Sequence, residues 1–128
     1  IESHFFAGFS GGRKAVLPGI ASYKTIMANH SGEFISSDKA RTGNLSGNPI
    51  HKDMEWAARK AGLAFIVNVV LDGEKHIIGS FAGDMVEAHK VGCDFVEELA
   101  TVLVTAVSGV AVDDDGFLVS LGEDAAEA

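Results

Sequence analysis

The sequence predicts an α/β fold with a mixed sheet, in which a β-hairpin packs against helices. One observation is the hairpin pattern itself, an apolar run over residues 63–71, the turn pair Asp72-Gly73, and a returning strand over 75–80. The other is that helical apolar spacing follows two good capping residues, Asn48 and Asp84. Because a helix follows the hairpin directly, we expect a strand–strand–helix unit in the second half of the chain.

The first half of the chain predicts two helices separated by loops. Residues 1–21 are expected to be strand or loop, and Ser22 can cap a helix whose apolar side includes Tyr23, Ile26, Met27 and His30. Residues 31–48 are polar and glycine-rich, which indicates a loop. Asn48 followed by Pro49 then starts a second helix, and Gly62 ends it. Its buried side is predicted to consist of Ile50, Met54, Ala57, Ala58 and Ala61.

The second half predicts strands around one further helix. The run 63–71 is rich in Val and Ile, as in a strand covered on both faces. Asp84, with Glu87 three residues later, resembles a capping box and predicts a helix that buries Met85, Ala88, Phe95, Val96 and Leu99. Residues 102–107 are predicted to form a strand, and 113–116 a turn. The pattern leaves 117–121 open between strand and helix, and 123–128 between a helix start and a tail.

Composition limits the class of protein. The 128 residues suit one domain, or a fragment whose core is residues 1–100 and whose residues 101–128 begin another domain; an opening Ile1 in place of Met favours the fragment. A net charge of -8 argues against nucleic acid or an anionic membrane as partner. The lone Cys93 excludes an internal disulfide and favours a cytoplasmic location. No apolar run is long enough to span a bilayer.

Functional side chains cluster around a glycine-rich stretch between His4 and Lys14. Gly11 and Gly12 allow backbone conformations closed to other residues and close approach by another group, so they are candidate cofactor-binding residues. Lys14 stands next to Arg13, and a neighbouring cation lowers the pKa of an amine, which makes it a better nucleophile. The plainer interpretation is a tight turn with a solvated Arg-Lys pair.

Histidines supply the other candidate chemistry. His4 can act as a general acid or base, and His30 can bind nickel, copper or zinc, although a histidine on an apolar helix side is more often a hydrogen-bonded core residue. His51 and His76 are expected to be solvated, and His89 to line a site or cover its helix. The stretch is not a P-loop, since its residues miss the glycine-lysine-serine spacing, and the histidines lack zinc-ligand spacing.

The sequence resembles the nickel-dependent lactate racemase family. The resemblance rests on the run from His4 to Lys14, on Leu17-Pro18-Gly19, and on Asn29-His30. It continues through Gly47-Asn48-Pro49 with Asp53, the run 68–71 and the segment 81–84, and it thins after residue 92. The spacings from His4 to Lys14 and from Lys14 to His30 are its most specific part.

The resemblance implies a cofactor and roles for three residues. The family uses nickel held in a nickel pincer nucleotide, a pyridine-derived mononucleotide with thioamide and thiocarboxylate groups. Lys14 would tether this cofactor through a thioamide bond, His30 would bind the nickel, and His4 would be one of two catalytic acid/base histidines. The implied reaction moves the α-hydrogen of a small 2-hydroxy acid as hydride to the cofactor and back. The implied partners are that substrate, the cofactor-synthesis proteins and an upstream part of the same protein.

Departures from the family pattern lie mainly near the end. The second catalytic histidine, a phosphate-binding stretch and a substrate-binding arginine of the family are upstream of this sequence. A family lysine that contacts substrate falls on Leu121, and a neighbouring tyrosine hydroxyl is absent. We therefore expect a segment of a 2-hydroxy-acid racemase or epimerase that is inactive when isolated. The alternative is a non-catalytic scaffold domain that binds a nucleotide or anion at the glycine-rich loop.

Overall fold

A computed structural model describes residues 1–108, 110–112 and 118–120, with side chains through residue 104. The elements in order are β1 (Ser3–His4), β2 (Gly8–Phe9), a 3-10 turn (Gly12–Ala15), α1 (Tyr23–Asn29), α2 (Gly32–Ile35), α3 (Pro49–Lys60), β3 (Ile66–Leu71), β4 (Ile77–Gly83), α4 (Glu87–Ser108), β5 (Val110–Val112) and β6 (Leu118–Ser120). Each of the three sheets is an antiparallel pair, β1 with β2, β3 with β4, and β5 with β6. The predicted mixed α/β class is confirmed.

The chain divides into two compact units, Ile1–Val96 and Glu97–Ala128. The first unit holds two small hydrophobic clusters, and α3 contributes to both. Ile50 and Met54 pack with Ala7 and Leu17 beneath the glycine-rich stretch, whereas Ala58 packs beside β3 and α4. Whether residues near 100 mark a domain boundary stays a prediction.

Capping residues act where the sequence predicts them. The Ser22 hydroxyl accepts a hydrogen bond from the backbone N–H of Thr25 at the start of α1. The Asn48 side chain accepts two such bonds in the first turn of α3, and Pro49 is the first helical residue. The Asp84 carboxylate accepts from the backbone N–H groups of Val86 and Glu87. Backbone N–H groups at a helix start have no partner within the helix, so these side chains fix where each helix begins.

The hairpin is confirmed, but its turn is longer than the two predicted residues. β4 begins at Ile77 rather than Lys75. The Asp72 carboxylate accepts from the backbone N–H groups of Glu74 and His76, and Lys75 takes a positive φ of 72°. These bonds stabilise a five-residue connection.

The predicted strand over residues 102–107 is wrong, because α4 continues to Ser108. Three consecutive apolar residues, Val102, Leu103 and Val104, are each more than 60% exposed on this helix. A short apolar run has no period that separates strand from helix, and no glycine or proline interrupts the chain between Gly92 and Gly109. The helix that started at Glu87 therefore propagates through the run.

Several predicted burials are also wrong. In β3, Val67 is 65% exposed, so this strand is not covered on both faces. Leu99 and Ala61 are exposed as well. Periodicity identifies the side of an element that can be buried, but burial needs a neighbour on that side.

Two elements were not predicted: α2, which lies in the predicted loop, and β5. β6 resolves part of the ambiguous segment 117–121 in favour of strand. The predicted turn at 113–116, the predicted end over 123–128 and Leu121 lie outside the described residues. No helix in the described part of the chain is both long and apolar enough to cross a membrane.

Candidate functional site

The candidate site is built on residues 2–15, which fold back on themselves. His4 in β1 pairs with Gly8 in β2. The backbone N–H of Ser10 donates to the carbonyl of Glu2 at 2.8 Å, and the Ser10 hydroxyl accepts from the backbone N–H of Glu2 at 3.0 Å. The 3-10 turn follows at once and carries Lys14. This folding places the predicted acid/base histidine and the predicted tether on one short structure.

Gly11 and Gly12 are required by contacts within the chain. Their φ angles are 82° and 57°, in the region that favours glycine. A Cβ atom at Gly11 would lie 2.9 Å from Asn68 Oδ1, and one at Gly12 would lie 2.8 Å from Cγ of His89. The backbone N–H of Gly12 also donates to Asn68 Oδ1 at 2.8 Å. The groups that approach these glycines here are thus side chains of β3 and α4, and a role in cofactor binding stays a prediction.

Arg13 points into the protein, so the interpretation as a solvated Arg-Lys pair is wrong. Its side chain is 1% exposed, and Nη2 donates to the carbonyl of Ala7 at 2.8 Å. Nη1 lies 3.0 Å from Nε2 of His89. Burial lowers the pKa of Arg13 to about 10, which leaves the guanidinium charged at neutral pH. A buried positive charge therefore lies directly below the loop.

Lys14 is half-buried, and its pKa is lowered. Burial is the main cause and the neighbouring Arg13 guanidinium the second, while the Glu2 carboxylate opposes both. Burial acts because a low-dielectric surrounding disfavours the charged form of the amine. The direction agrees with the sequence prediction. A lowered pKa raises the fraction of neutral amine, which is the nucleophilic form.

His4 is also half-buried and is neutral at pH 7. Burial lowers its pKa, and the positive charges of Lys14 and Arg13, followed by His30, lower it further. Its Nδ1 accepts from the backbone N–H of Ala7 at 3.3 Å. In the neutral ring the proton consequently lies on Nε2, and the side chain is a hydrogen-bond donor at that atom.

His30 caps the C-terminus of α1 and faces the same aromatic ring as His4. Phe6 lies edge-on to both imidazoles, with ring-centroid separations of 4.7 Å to His4 and 5.1 Å to His30. Nδ1 of His30 lies 3.0 Å from the carbonyl of Ile26. Since a carbonyl only accepts, Nδ1 carries the proton and Nε2 keeps its lone pair, as a metal-binding imidazole requires.

A buried amide fixes the end of α1 from which His30 projects. Asn29 is 0% exposed, and its Nδ2 donates to the Asp53 carboxylate at 2.9 Å and to the carbonyl of Ile50 at 3.2 Å. Both acceptors belong to α3. The cap of α3 ties down the other side of the site, because Asn48 Nδ2 donates to the carbonyl of Phe6 at 2.8 Å. Helix α3 thereby positions both His30 and the ring beside it.

The remaining histidines differ from one another in their surroundings. His76 is confirmed as exposed, with 69% of its side chain accessible beside Asp72. The prediction of a solvated His51 is wrong, because only 13% of its side chain is exposed, and burial and the Arg13 charge lower its pKa to about 4. His89 is 1% exposed and lies beneath the glycine loop. It contacts the loop at Ser10 and Gly12.

Sequence reasoning did not find the buried contacts of Arg13, Asn68 and His89. Asn68 and His89 contact backbone groups distant in the sequence, at Gly12 and Ser10, and Arg13 contacts the side chain of His89. Asn68 offered the one available signal, as a polar residue inside an otherwise apolar strand run. Among the described residues, no group of three or more histidine, cysteine or acidic side chains could hold a metal ion. A metal at His30 would thus need further ligands from another group.

The chain is similar to part of the lactate racemases. Residues 1–43 match the family model described as the lactate racemase N-terminal domain. The chain is 67% identical over 135 residues to a lactate racemase of Lactiplantibacillus plantarum, covering 100% of this chain and 32% of that protein. It is 56% identical over 117 residues to a lactate racemase of Thermoanaerobacterium thermosaccharolyticum, covering 91% of this chain and 28% of the relative.

A solved structure has the same fold over most of the chain. The lactate racemase apoprotein from Thermoanaerobacterium thermosaccharolyticum superposes with a TM-score of 0.73 and is 61% identical, over 74% of this chain and 23% of that one. The chain spans about a third of the length of the curated relatives it matches. The family resemblance drawn from the His4–His30 region is confirmed.

Proposed function

We propose that this chain is the part of a lactate racemase-like isomerase that tethers a nickel pincer nucleotide and works on a small 2-hydroxy acid. One observation carries the proposal. The imidazoles of His4 and His30 lie edge-on to the same Phe6 ring, at centroid separations of 4.7 Å and 5.1 Å, and the Lys14 charge lowers the pKa of His4. Two relatives named lactate racemase support the reaction class.

The residues present fit the cofactor. A single imidazole with its lone pair on Nε2 is a poor metal site alone. It suits a metal whose other ligands arrive with a tethered group, which is what the family resemblance implies. A half-buried lysine with a lowered pKa suits a covalent attachment. When bound, the nickel pincer nucleotide would accept the α-hydrogen of the substrate as hydride and return it.

Three residues of the chain have separate roles in this proposal: one attaches the cofactor, one binds its metal and one transfers a proton. The Lys14 amine anchors the cofactor, and the Ile26 carbonyl holds the ring of His30 so that Nε2 faces outward from α1. Neutral His4 can donate its Nε2 proton to the oxygen on the reacting carbon when the hydroxyl is re-formed, since its Nδ1 is occupied by the N–H of Ala7. Another base would take the hydroxyl proton when the hydroxy acid is oxidised. A second acid/base group would come from outside this chain.

The alternative function, a scaffold that binds a nucleotide or anion at the glycine loop, has less support. A phosphate cradle needs backbone N–H groups that point at the ligand. The backbone N–H of Gly12 already donates to Asn68 Oδ1. The backbone N–H of Lys14 already donates to the carbonyl of Gly11, at 3.1 Å. The substitution at Leu121 is the feature that favours this alternative.

The test is to produce the full-length protein together with the cofactor-synthesis proteins and to measure intact mass, bound nickel and racemisation of lactate and of bulkier 2-hydroxy acids. We expect an added mass on Lys14 and about one nickel per chain, in keeping with a single covalent attachment and one protein ligand. Lys14→Arg should abolish both, whereas Lys24→Arg, at an exposed helix position, should keep both. A wild-type protein with unmodified Lys14 and no bound nickel would reject the isomerase proposal and leave the scaffold function as the remaining candidate. We also expect the protein in the cytoplasm.

A further inference from the structure

The glycine loop that carries Lys14 depends on a histidine of α4 that the proposed chemistry does not use. The geometry points to His89 as a positioning residue: its ring holds residues 7–13 in the conformation that presents Lys14 beside His4. The contacts of His89 are independent of the proposed function. Only the statement that Lys14 is held there to receive the cofactor rests on the proposed function.

His89 meets the loop at three points. Its Nε2 lies 2.8 Å from the carbonyl oxygen of Ser10 and 3.0 Å from Nη1 of Arg13, which in turn holds the carbonyl of Ala7 through Nη2. Its Cγ lies 2.8 Å from the position that a Cβ atom of Gly12 would take, so only a glycine lets the backbone approach the ring this closely. The ring is 1% exposed, so no water layer separates it from these groups.

Both polar contacts use the same ring nitrogen, and this restricts the ring to its neutral form. A protonated Nε2 donates to Ser10, and an unprotonated Nε2 accepts from Arg13. A doubly protonated ring could only donate, and it would set a second positive charge against the buried guanidinium. Burial and Arg13 accordingly lower the pKa of His89 to about 4. In either neutral tautomer the ring stays bonded to the loop.

Glutamine is the informative replacement. Its amide has a donating nitrogen for Ser10 and an accepting oxygen for Arg13, so His89→Gln can satisfy both contacts. His89→Ala removes the ring and both contacts. His89→Phe keeps a ring of similar size without nitrogen atoms and covers the case in which the alanine variant does not fold. Val70→Ala, a buried β3 position beside the loop-contacting Asn68, is the control for a general loss of stability.

The experiment measures Lys14 in the full-length protein before any cofactor is attached. Competitive acetylation with acetic anhydride over a range of pH, read by mass spectrometry of the Lys14 peptide, gives the titration midpoint of this amine. In His89→Ala and His89→Phe we expect the midpoint to rise toward the ordinary lysine value, because the loosened loop admits water. His89→Gln and Val70→Ala should keep the wild-type midpoint.

Attachment of the cofactor is the second readout. In cells that make the cofactor, we expect the modified fraction of Lys14 to fall about tenfold in His89→Ala and His89→Phe, in line with the loss of one well-placed positioning group. An unchanged acetylation midpoint in both variants overturns the inference. A midpoint equally raised in Val70→Ala also overturns it, since the effect would then follow stability alone. If the acetylation midpoint shifts in the His89 variants but the wild-type protein never carries the cofactor, the inference about His89 stands and the proposed function is rejected.

Discussion

The contact between Gly12 and His89 makes a measurable prediction about alanine substitutions. Gly12 and Gly62 both have positive φ, 57° and 75°. A Cβ atom at Gly62 would meet nothing within 4 Å, whereas one at Gly12 would lie 2.8 Å and 2.9 Å from two ring carbons of His89. Gly62→Ala thus reports the backbone cost alone, and Gly12→Ala reports that cost together with a steric overlap.

The magnitudes follow from these distances. A non-glycine residue in the left-handed region costs about 1–2 kcal/mol. Carbon atoms normally pack about 3.5–4.0 Å apart, so the His89 ring must move by roughly 0.7 Å. Because Ser10 and Arg13 hold that ring, we assign the overlap an overpacking cost of about 2 kcal/mol. Gly12→Ala should consequently destabilise the protein by about 3–4 kcal/mol, against about 1–2 kcal/mol for Gly62→Ala.

Equilibrium urea denaturation of the purified protein measures both losses. A His89→Ala background removes the obstructing ring, so there the two alanine substitutions should cost nearly the same. The double-mutant cycle of Gly12 and His89 should show a coupling of about 2 kcal/mol. Equal losses from Gly12→Ala and Gly62→Ala in the wild-type background would refute the contact.

Three further predictions concern caps, acid and metal. Asn48→Ala should lower the free energy of unfolding by about 3 kcal/mol, because it removes four hydrogen bonds of a buried side chain, whereas the exposed cap variant Ser22→Ala should lose about 1 kcal/mol; urea denaturation of both compares them. In the folded protein His51 and His89 have pKa values of about 4, below the usual 6.5, so the unfolded chain binds protons at a higher pH than the folded protein does. The free energy of unfolding should therefore fall as the pH drops from 6.5 to 4, by up to about 3 kcal/mol for each histidine. A urea unfolding midpoint that stays constant over that range would contradict this prediction. His30→Ala should abolish nickel retention in elemental analysis while lowering stability by about 1 kcal/mol or less, since its polar contact is with its own helix; retained nickel would reject the ligand assignment.

Local signals account for what the sequence predicts well. Caps at Ser22, Asn48 and Asp84 are satisfied by N–H groups two or three residues away, so each can be recognised in a short window. The hairpin is likewise local. The strand prediction over 102–107 is wrong because a short run of mostly apolar residues fits either a strand or a helix, and here the preceding helix continues through it.

In the candidate site, too, the residues recognised from local sequence were predicted, and the contacts between distant residues were not. His4, Lys14 and His30 were found because residue type and spacing match a known family. The supporting contacts could not be found, because Arg13 reaches Ala7 and His89, and Asn68 reaches Gly12 across 56 positions. Nothing in the local sequence distinguishes a solvated arginine from one that a distant helix buries. The burial of His51, whose pKa the Arg13 charge helps to lower, could not be predicted for the same reason.

The uncovered side of the β3–β4 hairpin has a practical consequence for work with the isolated segment. Val67, Leu71, Ile77 and Ile78 are between 43% and 65% exposed on two paired strands. An exposed apolar sheet surface is a template for association with another copy. Preparations of residues 1–128 alone should therefore form concentration-dependent aggregates, and threonine at Val67 and Ile78 should reduce light scattering while leaving the loop around Lys14 untouched.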